Sequence, residues 1–303
     1  MSYIVGIGAC VKDTLLQVPD YPTEDTKMRA LSSREAGGGP VATGLVAAAR
    51  LGTEAAYIGV LSGDSAGEFL LRDFEKYGVG TGLVERRSGY RSFTSVIWLG
   101  AKNASRTCVF DKGDLPPLTL NEAQKKAIAE AALLMVDGNE LDAAVEAATL
   151  VRKSGGRVLY DCGGLYPGVE RLLALTDIMI PSAEFAMGHT GCDGIEAAAK
   201  KLFDTYHPAV VVVTDGKRGG LLYDGEKTVT YPIYPANVVD SNGSGDVFHG
   251  AFAAGLCRGF DFEKCCHFAS AVSAIKCMGV GARESVPDFS TVQNYIEENG
   301  YEL

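Results

Sequence analysis

Short, wholly apolar runs alternate along this chain with longer stretches whose apolar residues recur every three or four positions. Continuous apolar runs mark strands buried on both faces, and the 3.6-residue spacing marks helices with one face on a core. This pattern predicts strands near 3–8, 55–60, 132–137, 157–161, 177–181, 209–214 and 219–223. It predicts helices around 41–51, 66–77, 121–131, 140–153, 193–205, 246–258 and 262–278. Strands that alternate with helices after residue 38 imply a parallel sheet with helices on both faces, an α/β fold. Two segments break the alternation, 12–36 and 91–111, the second reading as a hairpin around Ala101 to Ser105. Both are expected to be excursions from the sheet. No internal repeat or low-complexity tract divides the chain, so 1–303 is read as one unit.

Composition narrows the function. A chain of 303 residues with 47% hydrophobic residues can bury a large core. A net charge of −10 without a long Lys/Arg run would repel nucleic acid and an anionic membrane surface. No apolar run reaches the roughly 18–20 residues of a spanning helix, and MSYIVGIGACVKD has no basic region before an apolar core, so the cytoplasm is the expected location. The eight cysteines are scattered without a C-x-x-C or zinc spacing and read as reduced thiols, mostly in the core. His249 and the other histidines show no metal spacing and are assigned no role. G-x-x-x-x-G-K-S/T is absent, which argues against a P-loop NTPase. GIGACV begins like a dinucleotide fingerprint, but Val11 stands at the third glycine position.

The chemistry concentrates in VVDSNGSGDVFHGAFAAGL, where a Gly/Ser-rich turn runs into an apolar helix. The first amides of a helix lack intrahelical partners and the helix dipole is positive there, so phosphate binds readily. Gly243, Ser244 and Gly245 allow close backbone approach. Asp246 sits where the dipole favours its charged form, able to take a proton from an alcohol; the same letters also describe a simple helix cap.

This segment resembles the C-terminal signature of the ribokinase-like (PfkB-type) carbohydrate kinases, D-T-x-G-A-G-D-x-F, at Asp240, Ser241, Gly243, Ser244, Gly245, Asp246 and Phe248. An N-terminal signature is similar, through Gly38, Gly39, Leu51, Gly52, Gly59, Gly63, Asp64, Gly67, Gly78 and Val79. A third match, PAVVVVTDGKRGGLLYDG, lies at 208–225. The resemblance spans essentially the whole chain and implies a three-layer α/β/α domain with a mostly parallel sheet. It implies that 12–36 and 91–111 form a small β lid, through which a homodimer could pair. It also implies ATP-dependent transfer of the γ-phosphoryl group to a hydroxyl of a small carbohydrate, of ketohexose or pentose type, with Mg2+ carried by ATP. Asp246 would be the base, and the amides of residues 243–246 the anion hole. Thr214, Gly216 and Gly219 would lie near ATP. Asp13, Gly38, Gly39 and Thr43 would face the sugar, as would Arg106, which stands in an N-x-S-R-T stretch similar to ketohexokinases. A potassium ion near Asp240 and the 279–285 loop belongs to the same picture.

Two positions depart from the family pattern. Thr43 replaces an asparagine that touches the sugar, and its hydroxyl lacks an amide's paired donor and acceptor. In PSAEFA, Ser182 and Phe185 replace the ends of N-x-x-E, leaving Glu184 as the nearby carboxylate for metal. A nucleoside kinase of the same fold and a non-catalytic sugar-binding protein stay open as alternative readings.

Overall fold

The computed structural model describes residues 3–102 and 105–302. Among them the strands are β1 (Tyr3–Ile7), β2 (Val11–Val18), β3 (Ser32–Gly38), β4 (Glu54–Ser62), β5 (Val84–Arg87), β6 (Thr94–Gly100), β7 (Ser105–Asp111), β8 (Leu133–Val136), β9 (Arg157–Cys162), β10 (Ile178–Pro181), β11 (Val210–Thr214), β12 (Gly220–Tyr223) and β13 (Thr228–Tyr231). The helices are α1 (Pro40–Arg50), α2 (Ser65–Lys76), α3 (Glu122–Glu130), α4 (Leu141–Lys153), α5 (Glu170–Leu173), α6 (Ala183–Thr190), α7 (Ile195–Tyr206), α8 (Ser244–Cys257), α9 (Phe262–Cys277) and α10 (Phe289–Glu298).

Successive side chains of a strand point to opposite faces, and that alternation sorts the apolar residues into two cores. In β1, Ile4 enters one core and Val5 and Ile7 the other; in β11, Val210 and Val212 part from Val211 and Val213 in the same way. The first core is closed by α1, α2, α8, α9 and α10, the second by α3 to α7. Burial on both faces is why these strands read as unbroken apolar runs. The main sheet has the order β13-β12-β11-β10-β9-β8-β1-β4-β5, parallel from β5 through to β11, with β12 and β13 antiparallel at one edge.

The predicted strands and helices fall within two residues of the observed ones. The sequence pattern did not reveal β5, β13, α5, α6 or α10. The two predicted excursions form a separate sheet, β3-β2-β6-β7, with a small core of Leu15, Ala36 and Ile97. In its β6–β7 hairpin Gly100 pairs with Ser105; Asn103 and Ala104, in the predicted turn, lie outside the described residues.

The chain starts at β1, adds β4 and β5 on one side, then returns to add β8 on the other. Such a switch point opens a crevice at the carboxyl ends of the strands. There the buried Asp137 accepts the Ala9 amide at 2.9 Å and the Val41 amide at 3.2 Å through Oδ2, and the Asn139 amide at 3.0 Å through Oδ1. One carboxylate thus joins the end of β1, the start of α1 and the end of β8.

Candidate active site

Helices α1 and α8 cross where a Cβ on Gly250 would lie 2.0 Å from the Gly44 carbonyl oxygen, so only glycine permits this approach. The crossing brings both helix N-termini to one cavity of about 360 Å3, roofed by the lid. Asp13, Gly38, Gly39, Thr43, Arg106, Gly243 and Asp246, all predicted site residues, line it. A larger cavity, about 480 Å3, lies beyond Phe93 and holds none of them, so size does not mark the chemistry here.

The turn before α8 is built around Asp240. Its Oδ1 accepts the Asn242 amide and its Oδ2 the Gly281 amide, both at 2.9 Å. Gly243 then takes φ 73°, a left-handed conformation that glycine adopts readily. Among the described residues the amides of Gly243, Gly245 and Asp246 have no hydrogen-bond acceptor and remain free for an anion. The expected fourth donor is corrected: the Ser244 amide turns back to the Ser241 carbonyl at 3.2 Å.

Asp246 lies partly exposed at the cavity, and burial rather than the helix end is the largest influence on it, pushing its carboxyl above the usual range. His249, Arg106, Arg283 and Lys276 pull it back down. The dipole, expected to favour the charged form, is thus not the main influence on this carboxyl: burial raises it, and four basic side chains offset part of that. Asp13 is 7% exposed, and its Oδ1 accepts from Ser95 Oγ at 2.6 Å. Burial raises it to about 6, while Ser95 and Arg283 lower it. A Cβ on Gly38 would lie 2.0 Å from Asp13 Oδ2, which explains a glycine there.

Two lid arginines reach the Asp240 turn. Arg106 donates to Asn242 Oδ1 at 2.9 Å, and Arg34 in β3 lies 3.6 Å from Asp240 Oδ2. Thr43 is wholly buried, and its hydroxyl oxygen faces the Arg283 Nε at 3.4 Å. Arg283, 1% exposed, also pairs with Asp73 at 2.6 Å and donates to the Gly38 carbonyl at 2.7 Å.

His249 was given no role from sequence, and the structure corrects this. It is buried one turn beyond Asp246, with Nδ1 facing the Gly245 carbonyl at 2.6 Å and Asp161 Oδ2 at 3.3 Å, and Nε2 facing the Ile180 carbonyl at 3.0 Å. Carbonyls only accept, so this geometry calls for a proton on both ring nitrogens. Burial pushes Asp161 upward and His249 offsets part of that.

Thr214 stands at the carboxyl end of β11, bridged to Ser182, and Gly216 is exposed with open space around it. Gly219 is buried, where a Cβ would come within 2.4 Å of the Tyr231 carbonyl oxygen, so it shapes the turn into β12. Glu184 is not brought to the cavity. Ser182 caps α6 through the Phe185 amide at 3.1 Å, Ala183 and Phe185 turn inward, and Glu184 is left on the exposed face. Among the described residues no cluster of three or more His, Cys, Asp or Glu could hold a metal ion.

The sequence profile described as "pfkB family carbohydrate kinase" matches residues 1–288. A ribokinase of Haemophilus influenzae is 25% identical over 298 residues, 96% of this chain and 97% of that protein. A protein described as an uncharacterized sugar kinase of Archaeoglobus fulgidus is 30% identical over 248 residues, 78% of this chain and 97% of that one. The structure of Arabidopsis thaliana ribokinase with ribose and ATP superposes with a TM-score of 0.86 at 24% identity, covering 98% of both chains.

Proposed function

The chain belongs to the pfkB family of carbohydrate kinases, and on that premise we propose that it transfers the γ-phosphoryl group of ATP to a primary hydroxyl of a ketohexose- or pentose-type sugar, with Asp246 as the base. The observation that carries this reading is the placement of the Asp246 carboxylate beside the free amides of Gly243, Gly245 and Asp246, in one cavity with Asp13. An ionised Asp13 would accept hydroxyl hydrogen bonds and fix the sugar, Asp246 would take the proton, and the amides would balance charge on the transferring phosphoryl group. Arg106 and Arg34 would hold the lid down over the Asp240 turn and exclude water.

ATP would lie over Thr214 and Gly216. With no metal-binding carboxylate cluster among the described residues, Mg2+ would arrive with the nucleotide. The whole chain would act as one unit with its lid, in a reducing, cytoplasmic compartment that suits its unpaired thiols. Exposed Val96 and Val109, which pair across β6 and β7, would give a second copy an apolar surface to cover.

The test is ADP release from Mg-ATP across free ketoses, aldoses, phosphosugars and nucleosides, with Asp246→Asn as the blank. Turnover on a sugar, reduced about 10²–10⁴-fold in the variant with sugar binding retained, is expected. Turnover confined to nucleosides would replace the sugar, and sugar binding without turnover would favour a binding protein.

A further inference from the structure

The resemblance places a potassium ion near Asp240 and the 279–285 loop, and the residues of this chain do not fit one. We infer that the ammonium group of Lys276 is a tethered substitute for that cation, so that the enzyme works without monovalent-cation activation. This rests on the kinase reading above.

Lys276, in the last turn of α9, is one of the largest fully buried side chains, and its Nζ donates to the Asp240 main-chain carbonyl at 2.7 Å. Several oxygens around this turn already hold hydrogen bonds. Asp240 Oδ1 and Oδ2 serve the Asn242 and Gly281 amides, the Val280 carbonyl accepts from Ser285 Oγ at 2.8 Å, and the Cys277 carbonyl accepts from the Val239 amide at 2.8 Å and the Asp240 amide at 3.1 Å. Arg34 adds a second positive charge 3.6 Å from Asp240 Oδ2. A bare potassium ion there would meet two fixed cations that repel it, one of them already on the Asp240 carbonyl.

The substitution is chemically apt, because an ammonium and a dehydrated potassium ion carry the same charge at similar distances from carbonyl oxygen. A buried lysine is costly even with carboxylates nearby, here Asp240 and Asp246, so its retention calls for a use. By binding the Asp240 carbonyl, Lys276 orders the turn whose next residues supply the anion amides. It acts through that turn and is a positioning residue.

The experiment compares the wild type, Lys276→Ala and Lys276→Met in potassium, ammonium, sodium and tetramethylammonium salts at constant ionic strength, reading both turnover and melting temperature. The wild type should be indifferent to the cation in both readouts. Lys276→Ala, which opens the ammonium's space, should lose about tenfold or more in kcat in tetramethylammonium. Potassium or ammonium should restore that rate and raise its melting temperature, as a ligand bound only by the folded state does. Lys276→Met fills the space without charge and should stay impaired in every salt.

Potassium-specific activation or stabilisation of the wild type would overturn the inference, as would full activity of Lys276→Met. If Lys276→Ala fails to fold, the wild type and Lys276→Met still decide. If no sugar is turned over in any salt, the kinase reading falls, and the melting temperatures still test the cation.

Discussion

His249 and Asp161 form a buried pair, Nδ1 to Oδ2 at 3.3 Å, one helical turn behind Asp246. His249 is the largest favourable charge acting on the Asp246 carboxyl. Replacing it with asparagine removes that charge, so the carboxyl of Asp246 should rise further. The acid limb of the kcat profile should then move to higher pH, with lower kcat at neutral pH. A purely structural role would lower the rate without moving the limb, and a pH–rate profile on protein of unchanged circular dichroism separates the two.

Asp13 couples binding to stability with opposite signs. Its carboxyl ionises near 3.8 when unfolded and at about 6 in the native protein, so the folded state holds a proton across that window that the unfolded chain has lost. Stability therefore falls as pH rises from 3.8 to about 6 and stays reduced above it. Asp13→Asn should be more stable than the wild type near pH 8, by on the order of 3 kcal/mol, and little different near pH 4. The same variant should lose about ten- to a hundredfold in kcat/KM, because a charged acceptor for sugar hydroxyls is gone. Urea melts at the two pH values and initial rates give both readings.

The Asp73–Arg283 pair joins α2 to the loop behind the anion amides, with both side chains nearly inaccessible. Breaking a buried pair leaves an uncompensated charge and costs about 3–5 kcal/mol. Asp73→Ala should show that loss in chemical denaturation. The double variant Asp73→Leu with Arg283→Met should recover most of the stability while kcat stays low, since Arg283 also holds the Gly38 carbonyl and faces Thr43.

Gly243→Ala puts a methyl 2.6 Å from the Ala282 Cβ at a residue with φ 73°. The left-handed conformation alone costs an L residue about 1–2 kcal/mol. Shifting this residue moves the amides proposed to hold the anion, so kcat should fall at least about tenfold while sugar affinity, which the proposal assigns mainly to Asp13, changes little. Steady-state kinetics paired with calorimetric sugar binding checks the split.

The strands and most helices were legible because both faces of the sheet are buried, and the apolar run Val210 to Val213 could hardly be anything else. Short β5, whose sequence is VERR, and β13, TVTY, carry no such signal. They become strands only by pairing with β4 and β12. That Asp246 and Asp13 would meet at one cavity was readable because each stands in a stretch that resembles a family motif. Lys276 and Arg283 were not, since a basic residue closing a helix or sitting in a loop reads as a solvated charge, and Asp73 lies 210 positions from Arg283. His249 was missed for the same reason, Asp161 being supplied by another strand.

Ala9 and Val41 leave and re-enter the scaffold on either side of the segment that forms β2 and β3, and both amides end on a single oxygen of Asp137. The two ends of that insertion are clamped together independently of what lies between them. The β2–β3 part of the lid thus hangs from a fixed socket: the stretch between these strands, away from Asp13, Arg34 and Gly38, can be lengthened or exchanged without moving the ends of β1 and α1.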